Sequence, residues 1–267
     1  MSTRTTVHDD VLHIEADGTG PVLLLVAGGG ADAEVFDGLV PHLTGDFTVV
    51  RYDPRGFVRS PAEPFTHSPE AQAADLVRVL DAHSPGEPAY VFAGSSGAIA
   101  ALAMLAAHPG RVRRLIAHEP PLVRMLPGDD PMRALFPQVR DAFLSDGVEA
   151  AMTRMAEGLG EHRPPGGEPP AEVPPRMARM MAQTRIFLGE ILVPYSSHDL
   201  DVAALDTTRL TLAAGEDSRG KPIRRPVDAL ADRLGTTVLE FPGGHVGYIQ
   251  DVAGSARILR EALIATS

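Results

Sequence analysis

The chain has 267 residues, with 24 Lys and Arg against 35 Asp and Glu, so its formal net charge is −11. An apolar share of 44% with 22% charged residues is ordinary globular composition and excludes general disorder, while the acidic balance argues against wrapping nucleic acid or an anionic membrane. The chain has no cysteine, which excludes disulfide scaffolds, cysteine-ligated zinc, iron–sulfur clusters and thiol nucleophiles.

The opening MSTRTTVHDD lacks the apolar core of a signal peptide, and no apolar run nears the ~20 residues of a membrane span, so a cytoplasmic protein is expected. No repeat of 20–50 residues is visible. His8 and His13 fall in an N-terminal strand region and read as a solvated face rather than metal ligands. Val22 to Val26 is an apolar strand ended by three glycines. Phe47 to Tyr52 is β-rich and stops at Asp53-Pro54. Ser68-Pro69-Glu70 opens a helix, with Ser as N-cap and Pro at the first helical position. Ala89 to Ala93 is a third strand, Ser96 to Ala107 a buried Ala-rich helix, and Val112 to Ala117 a fourth strand. Strands alternating with helices predict βαβ units and a parallel sheet covered on both faces. Such a sheet binds ligands beyond the carboxyl ends of its strands. After Glu119 the alternation stops, and residues 120–207 carry helical patterns without a clear strand. Within them Gly158 to Pro175 is dense in Pro and Gly and reads as loop. The rhythm returns with a strand at Leu210 to Ala213, a helix at Pro226 to Leu234, a strand at Thr237 to Phe241 and a last helix at Asp251 to Ala265. The expected organisation is an α/β core, 1–119 and 208–267, interrupted by a helical insertion, 120–207. Two consecutive domains are the alternative.

The stretch Val91 to Pro109, VFAGSSGAIAALAMLAAHP, ends a strand, places two serines in a small-residue turn and starts a helix at once. It resembles the nucleophile elbow of the α/β-hydrolase fold family, a serine between small residues on a strand-to-helix turn. The small residues suit a strained serine backbone under close packing, and the helix N-terminus offers N–H groups to a developing oxyanion. Two registers are open. G-x-S-x-A selects Ser96, and A-x-S-x-G selects Ser95. The family's continuation through Gly, a small residue, an apolar helix and His-Pro fits Ser95-Ser96-Gly97-Ala98 and His108-Pro109, which favours Ser95, with Ala93 standing where the family usually has Gly. Taken alone, two serines in such a turn also suit a simple helix cap.

Phe241 to Tyr248, FPGGHVGY, follows the last predicted strand, and the resemblance implies that His245 is the catalytic histidine there. A neutral imidazole takes the serine proton and returns it to the leaving group. The family's acid lies three residues after the Gly that ends the preceding strand. In Gly215-Glu216-Asp217-Ser218 that place holds Ser218, with Asp217 one residue early. Some relatives take the acid from the end of the strand before, where Ala117-His118-Glu119-Pro120 puts Glu119. Asp217 and Glu119 are both retained as candidates, and His118 is a candidate to line the site. The Gly28-Gly29-Gly30 turn matches the family's oxyanion loop, so Gly29, with Gly30 next, and the N–H of Ser96 are the implied oxyanion donors.

The same glycines open a rival. Gly28-Gly29-Gly30-Ala31-Asp32-Ala33 satisfies G-x-G-x-x-A after a strand, and Asp53 follows the next strand, as in a dinucleotide-binding oxidoreductase. That reading leaves the elbow and Gly-Gly-His unused, whereas the hydrolase resemblance also covers Tyr52-Asp53-Pro54-Arg55-Gly56. A hydrolase-fold protein with a binding role is a third possibility. Seven of the nine methionines fall between residues 125 and 181. Met177, Met180, Met181 and Leu188 recur at helix-face spacing, which fits a core face and equally a lid over an apolar pocket; Met177 and Met181 are the candidate substrate contacts. The resemblance implies an α/β fold, a mostly parallel doubly wound sheet with an inserted helical cap. It further implies a serine hydrolase that cleaves a small apolar ester or lactone through an acyl-enzyme. No cofactor, no metal, no nucleic acid and no membrane are expected, and a homodimer is possible for such a chain.

Overall fold

Five apolar residues in a row, Val22 to Val26, are all buried, and so are all six residues from Ala89 to Gly94. Runs apolar on both faces can only sit in the middle of a sheet covered on both sides. The computed structural model describes residues 5–8, 11–62, 65–161 and 173–264. Among them one sheet holds β1 (Thr5–His8), β2 (His13–Gly18), β3 (Val22–Val26), β4 (Thr48–Tyr52), β5 (Ala89–Gly94), β6 (Val112–His118), β7 (Leu210–Gly215) and β8 (Val238–Phe241), in the order β1-β2-β4-β3-β5-β6-β7-β8. β1 with β2 and β2 with β4 pair antiparallel; every other neighbouring pair is parallel. The helices are α1 (Val40–Leu43), α2 (Pro69–His83), α3 (Ser95–Ala107), α4 (Met132–Asp146), α5 (Val148–Gly158), α6 (Pro175–Ile186), α7 (Leu192–Ser196), α8 (Arg225–Leu234), α9 (Gly247–Gln250) and α10 (Val252–Ile264). None is long and apolar enough to cross a membrane. The chain thus has the expected α/β architecture, and the strand limits read from the sequence differ from the observed ones by a residue or two.

The period-2 alternation of the strands sorts their side chains into two cores. Leu24, Val26, Val91, Ala93, Leu115 and Ala117 face α2, α3 and α8, while Leu23, Leu25, Phe92, Ile116 and Phe241 face α10 and the segment around Phe36. α2 starts as its sequence dictates: the Ser68 Oγ accepts from the Ala71 N–H at 3.1 Å, with Pro69 at the first helical position. α3 is apolar all round and is buried nearly throughout, which suits its Ala-rich sequence. Between Glu119 and Asp206 the described residues form helices and turns with no strand, and they pack a small core of their own around Leu135, Phe136, Val139, Leu188 and Leu192. Of the Pro/Gly-rich stretch from Gly158 to Pro175, residues 162–172 lie outside the described residues.

Sheet order places the site. β4 lies on one side of β3 and β5 on the other, so the chain reverses its direction of growth across the sheet between them. The crevice of such a reversal opens at the carboxyl ends of the strands. Val26 pairs with Ala93, Gly94 with His118, His118 with Ala213, and Gly215 with Phe241. The loops that follow β3, β5, β6, β7 and β8 therefore emerge in a row along one edge.

His118, the last residue of β6, is fully buried and lies among the rings of Phe92, Phe241 and Tyr248, with centroids 6.3, 5.4 and 5.2 Å away. Neither ring nitrogen has a hydrogen-bond partner among the described residues. Burial pushes its pKa down to about 4, against the attraction of the adjacent Glu119. The folded protein therefore holds this histidine neutral where the unfolded chain, with an ordinary value near 6.5, takes up a proton. Its contribution to stability is complete above about pH 6.5 and is lost as the pH falls toward 4, on the order of 3 kcal/mol in all. Denaturant titrations across this window are expected to show a shallower loss of stability in His118→Leu than in the parent; identical slopes would show that the ring is not held neutral.

Candidate active site

Ser95 occupies the turn between β5 and α3 with φ +53°, and only one other non-glycine residue among those described, Glu119 at φ +43°, has a positive φ. The left-handed region costs an L-residue roughly 1–2 kcal/mol, and it is held here by close approach of neighbouring backbone. A Cβ on Gly28 would lie 2.5 Å from the Gly94 carbonyl oxygen and 2.7 Å from the Ser95 Cβ, and a Cβ on Gly97 would lie 2.3 Å from the Ala27 carbonyl oxygen. The β3 loop presses onto the elbow because both contact points are glycine. Ser95 itself is partly exposed and lines a cavity, whereas Ser96 is the more deeply buried of the two serines.

His245, in the loop after β8, lines the same cavity. Its Nδ1 is 2.7 Å from Glu119 Oε2, and the other oxygen, Oε1, accepts the Gly215 N–H at 3.0 Å. Both carboxylate oxygens are engaged, and the side chain is fully buried. Burial alone would raise the Glu119 pKa, but the hydrogen bond and the charge of His245 outweigh it and hold the carboxyl below its ordinary value. An ionised Glu119 makes Nδ1 the protonated nitrogen and leaves Nε2 free to act as a base. The His245 loop reaches this position over Gly215, where a Cβ would meet the Gly243 and Gly244 carbonyl oxygens at 2.4 and 2.5 Å.

Of the two carboxylates expected near the imidazole, the structure brings only Glu119 to it. Asp217 is exposed, and it contributes a backbone N–H that donates to the Gly243 carbonyl oxygen at 2.9 Å. Ser218 is the buried residue of that turn, its Oγ 3.9 Å from where a Cβ on Gly244 would lie. The short helical turn after β7 thus points a hydroxyl inward and the Asp217 carboxylate outward.

The glycine loop also divides its candidates. Gly29 (φ +63°) lines the cavity, and its N–H donates to Ser96 Oγ at 2.9 Å. Gly30 lies under α6, where a Cβ would be 2.9 Å from the Thr184 N, and it lines a neighbouring groove instead. The Ser96 N–H stands in the first turn of α3, where helix N–H groups lack intrahelical partners.

The cavity has a volume of about 200 Å³ and is walled mainly by apolar side chains. Phe136, Met155, Leu159, Phe187 and Leu192 come from the helical segment, and Ile223, Val246 and Tyr248 from the core. The proposed contacts Met177 and Met181 do not line it. Met177 faces the neighbouring groove, and Met181 is 46% exposed. His118 does not line the cavity; it is fully buried and packs edge-on against Tyr248, which does. Sequence reasoning missed Met155 and Tyr248. Met155 belongs to the methionine-rich stretch but sits on α5, one helix before the stripe that drew attention. Tyr248 follows His245 by three residues, and its hydroxyl would be 2.5 Å from a Cβ on Gly94, so the elbow glycine makes room for it. Asp53, which the dinucleotide reading needs for a ribose, is fully buried; it accepts from Arg59 Nη2 at 2.7 Å and from the Ala33 N–H at 3.0 Å.

Residues 21–157 match the family model described as alpha/beta hydrolase fold. The chain is 33% identical to the protein named uncharacterized hydrolase YraK from Bacillus subtilis (strain 168), over 89% of this chain and 86% of that one. It is 34% identical to a zearalenone hydrolase from Bionectria ochroleuca over a shorter stretch, 45% of this chain and 48% of the relative. Among solved structures, the enol-lactonase from Burkholderia xenovorans LB400 superposes with a TM-score of 0.64 at 19% identity, covering 94% of this chain and 96% of that one. With a strand-to-helix serine turn, a histidine after the last strand and a family match over more than half its length, this chain is a hydrolase and belongs to the alpha/beta hydrolase fold family.

Proposed function

We propose that this protein is a serine hydrolase that cleaves small apolar esters or lactones through an acyl-enzyme. The observation that carries the reading is the 2.7 Å contact between His245 Nδ1 and the buried Glu119, with Ser95, the one serine of positive φ among the described residues, on the same cavity. In the first half-reaction His245 Nε2 takes the proton of Ser95 Oγ as the oxygen attacks the carbonyl carbon, and Glu119 stabilises the imidazolium that forms. The carbonyl oxygen becomes an oxyanion facing the Ser96 N–H and the Gly29 loop. Collapse of the tetrahedral species expels the alcohol, which takes the proton from His245. Water then enters, loses a proton to His245 and attacks the acyl carbon, and the acid is released as the Ser95 Oγ bond breaks and His245 returns that proton to Ser95 Oγ. The helical segment 120–207 acts as a cap, and its Phe136, Met155, Leu159 and Leu192 side chains supply the apolar walls that favour an uncharged substrate. An enol-lactonase among the structural neighbours is in keeping with a lactone or ester substrate.

Four substitutions test this reading. Ser95→Ala is expected to abolish turnover of a p-nitrophenyl ester panel, and an active-site phosphonate should label Ser95 when the modified peptide is mapped by mass; label on another residue with Ser95→Ala still active would refute the assignment. Glu119→Gln should lower kcat/KM by roughly 10³–10⁴, because the amide removes the charge that steadies the imidazolium. Asp217→Asn should stay within about threefold of the parent; the opposite ranking would give the role to Asp217. Met155→Phe fills part of the cavity and is expected to shift the preferred acyl chain toward shorter esters, read as the ranking of kcat/KM across chain lengths. An unchanged ranking would place the acyl group elsewhere.

A further inference from the structure

The Gly29 N–H is the loop donor best placed for an oxyanion, since Gly29 lines the cavity with Ser95 and His245 while Gly30 turns away under α6. That N–H is already committed, donating to Ser96 Oγ at 2.9 Å. A hydroxyl that accepts one hydrogen bond keeps its own proton to donate. We propose that the Ser96 side chain is a catalytic donor: its Oγ–H points to the oxyanion, and the Gly29 N–H acts through it rather than directly. This rests on the serine-hydrolase reading above.

Three features favour the arrangement. Ser96 and Gly29 both border the cavity, so the hydroxyl proton has an acceptor to turn toward when the carbonyl oxygen gains charge. Ser96 is only 6% exposed, and in such an enclosed place a donor chain of N–H to O–H to oxyanion is polarised along its length, with little competition from water. The loop also depends on this bond. A Cβ on Gly29 would find nothing within 4 Å, so side-chain packing does not hold that residue, and its φ of +63° is fixed by the Gly28–Ala31 turn and the contact to Ser96. One residue would then give the oxyanion two donors, its own N–H from the first turn of α3 and its own hydroxyl.

Ser96→Ala removes the hydroxyl and keeps the N–H. The expected result is a fall in kcat of about 10²-fold, in the range for losing one oxyanion donor, with KM changed by less than about threefold. An aryl boronic acid, which forms a tetrahedral adduct on Ser95, should bind Ser96→Ala weaker by a similar factor. A kcat within about threefold of the parent, a change confined to KM, or unaltered boronate affinity would overturn the proposal and leave the hydroxyl a structural tie. A rise in kcat would overturn it as well, showing that the hydroxyl obstructs the oxyanion position. Ser95→Ala is run beside it: if that variant is inactive while Ser96→Ala is unaffected, only the donor role fails, and if Ser95→Ala stays active, the hydrolase mechanism and the donor role fall together.

Discussion

The hydrogen bond between Glu119 and His245 joins the end of β6 to the loop after β8, and the rest of the site is arranged around making it tolerable. A carboxylate removed from water is costly unless it is paired and hydrogen-bonded. Glu119 meets that condition with one oxygen on the imidazole and the other on the Gly215 N–H. To place the side chain there the backbone turns through φ +43°, immediately before two prolines, and the Glu119 N–H donates to the Ala213 carbonyl oxygen at 2.9 Å. The bond spans 126 residues of sequence, yet β6 and β8 are separated in the sheet only by β7. The adjacent His118 stays neutral despite the charge of Glu119, because burial among aromatic rings outweighs that attraction.

Backbone proximity is the second constraint. Gly28, Gly97 and Gly215 each stand where another chain segment passes too close for a side chain. The first two bring the β3 loop against the elbow, and the third lets the His245 loop cross the end of β7. The strain stored in Ser95 is thereby held by packing on both sides, and the serine hydroxyl is presented to the cavity without a flexible approach. The loop glycines, which on sequence suit a phosphate as well as an oxyanion, serve close packing first, and Asp53 is bound to Arg59 instead of being free for a ribose.

The helical segment is tied to the core by charge as well as by apolar contact. Arg179 of α6 reaches Glu34 at 2.5 Å, Arg176 lies 3.4 Å from the same carboxylate, and Gln183 donates to Asp32 at 3.3 Å. These contacts fall just after Gly28 to Gly30, so α6 and that glycine loop are fixed against each other. Part-exposed pairs of this kind contribute little to stability individually, and their effect here is to set the position of α6 over Gly30. The acidic excess of the chain is partly spent on such pairings: Glu15, Asp17, Glu34 and Asp53 all lie beside Arg51 or Arg59.

The sequence by itself determined the alternation of buried strands and helices, because apolar periodicity and local caps such as Ser68 are short-range properties that the chain carries into any fold. It also made the strand-to-helix serine turn legible, although Ser95 and Ser96 alone equally suited a helix cap, and it located His245 in a glycine loop after the last strand. It left Asp217 and Glu119 undecided. Both follow parallel strands that lie side by side, and no local pattern says which carboxylate turns inward; the helical turn after β7, which buries Ser218 and exposes Asp217, decides that only once the His245 loop has crossed Gly215. The methionine stripe on α6 was legible as an apolar face, but which helix face meets the cavity depends on how α4 to α7 pack. That packing gives the wall to Met155 and leaves Met181 in solvent. Contacts between residues far apart in the chain are set by the docking of whole elements, and that is why the tertiary structure alone decided which carboxylate meets His245, which residues wall the cavity and what the Gly29 N–H donates to.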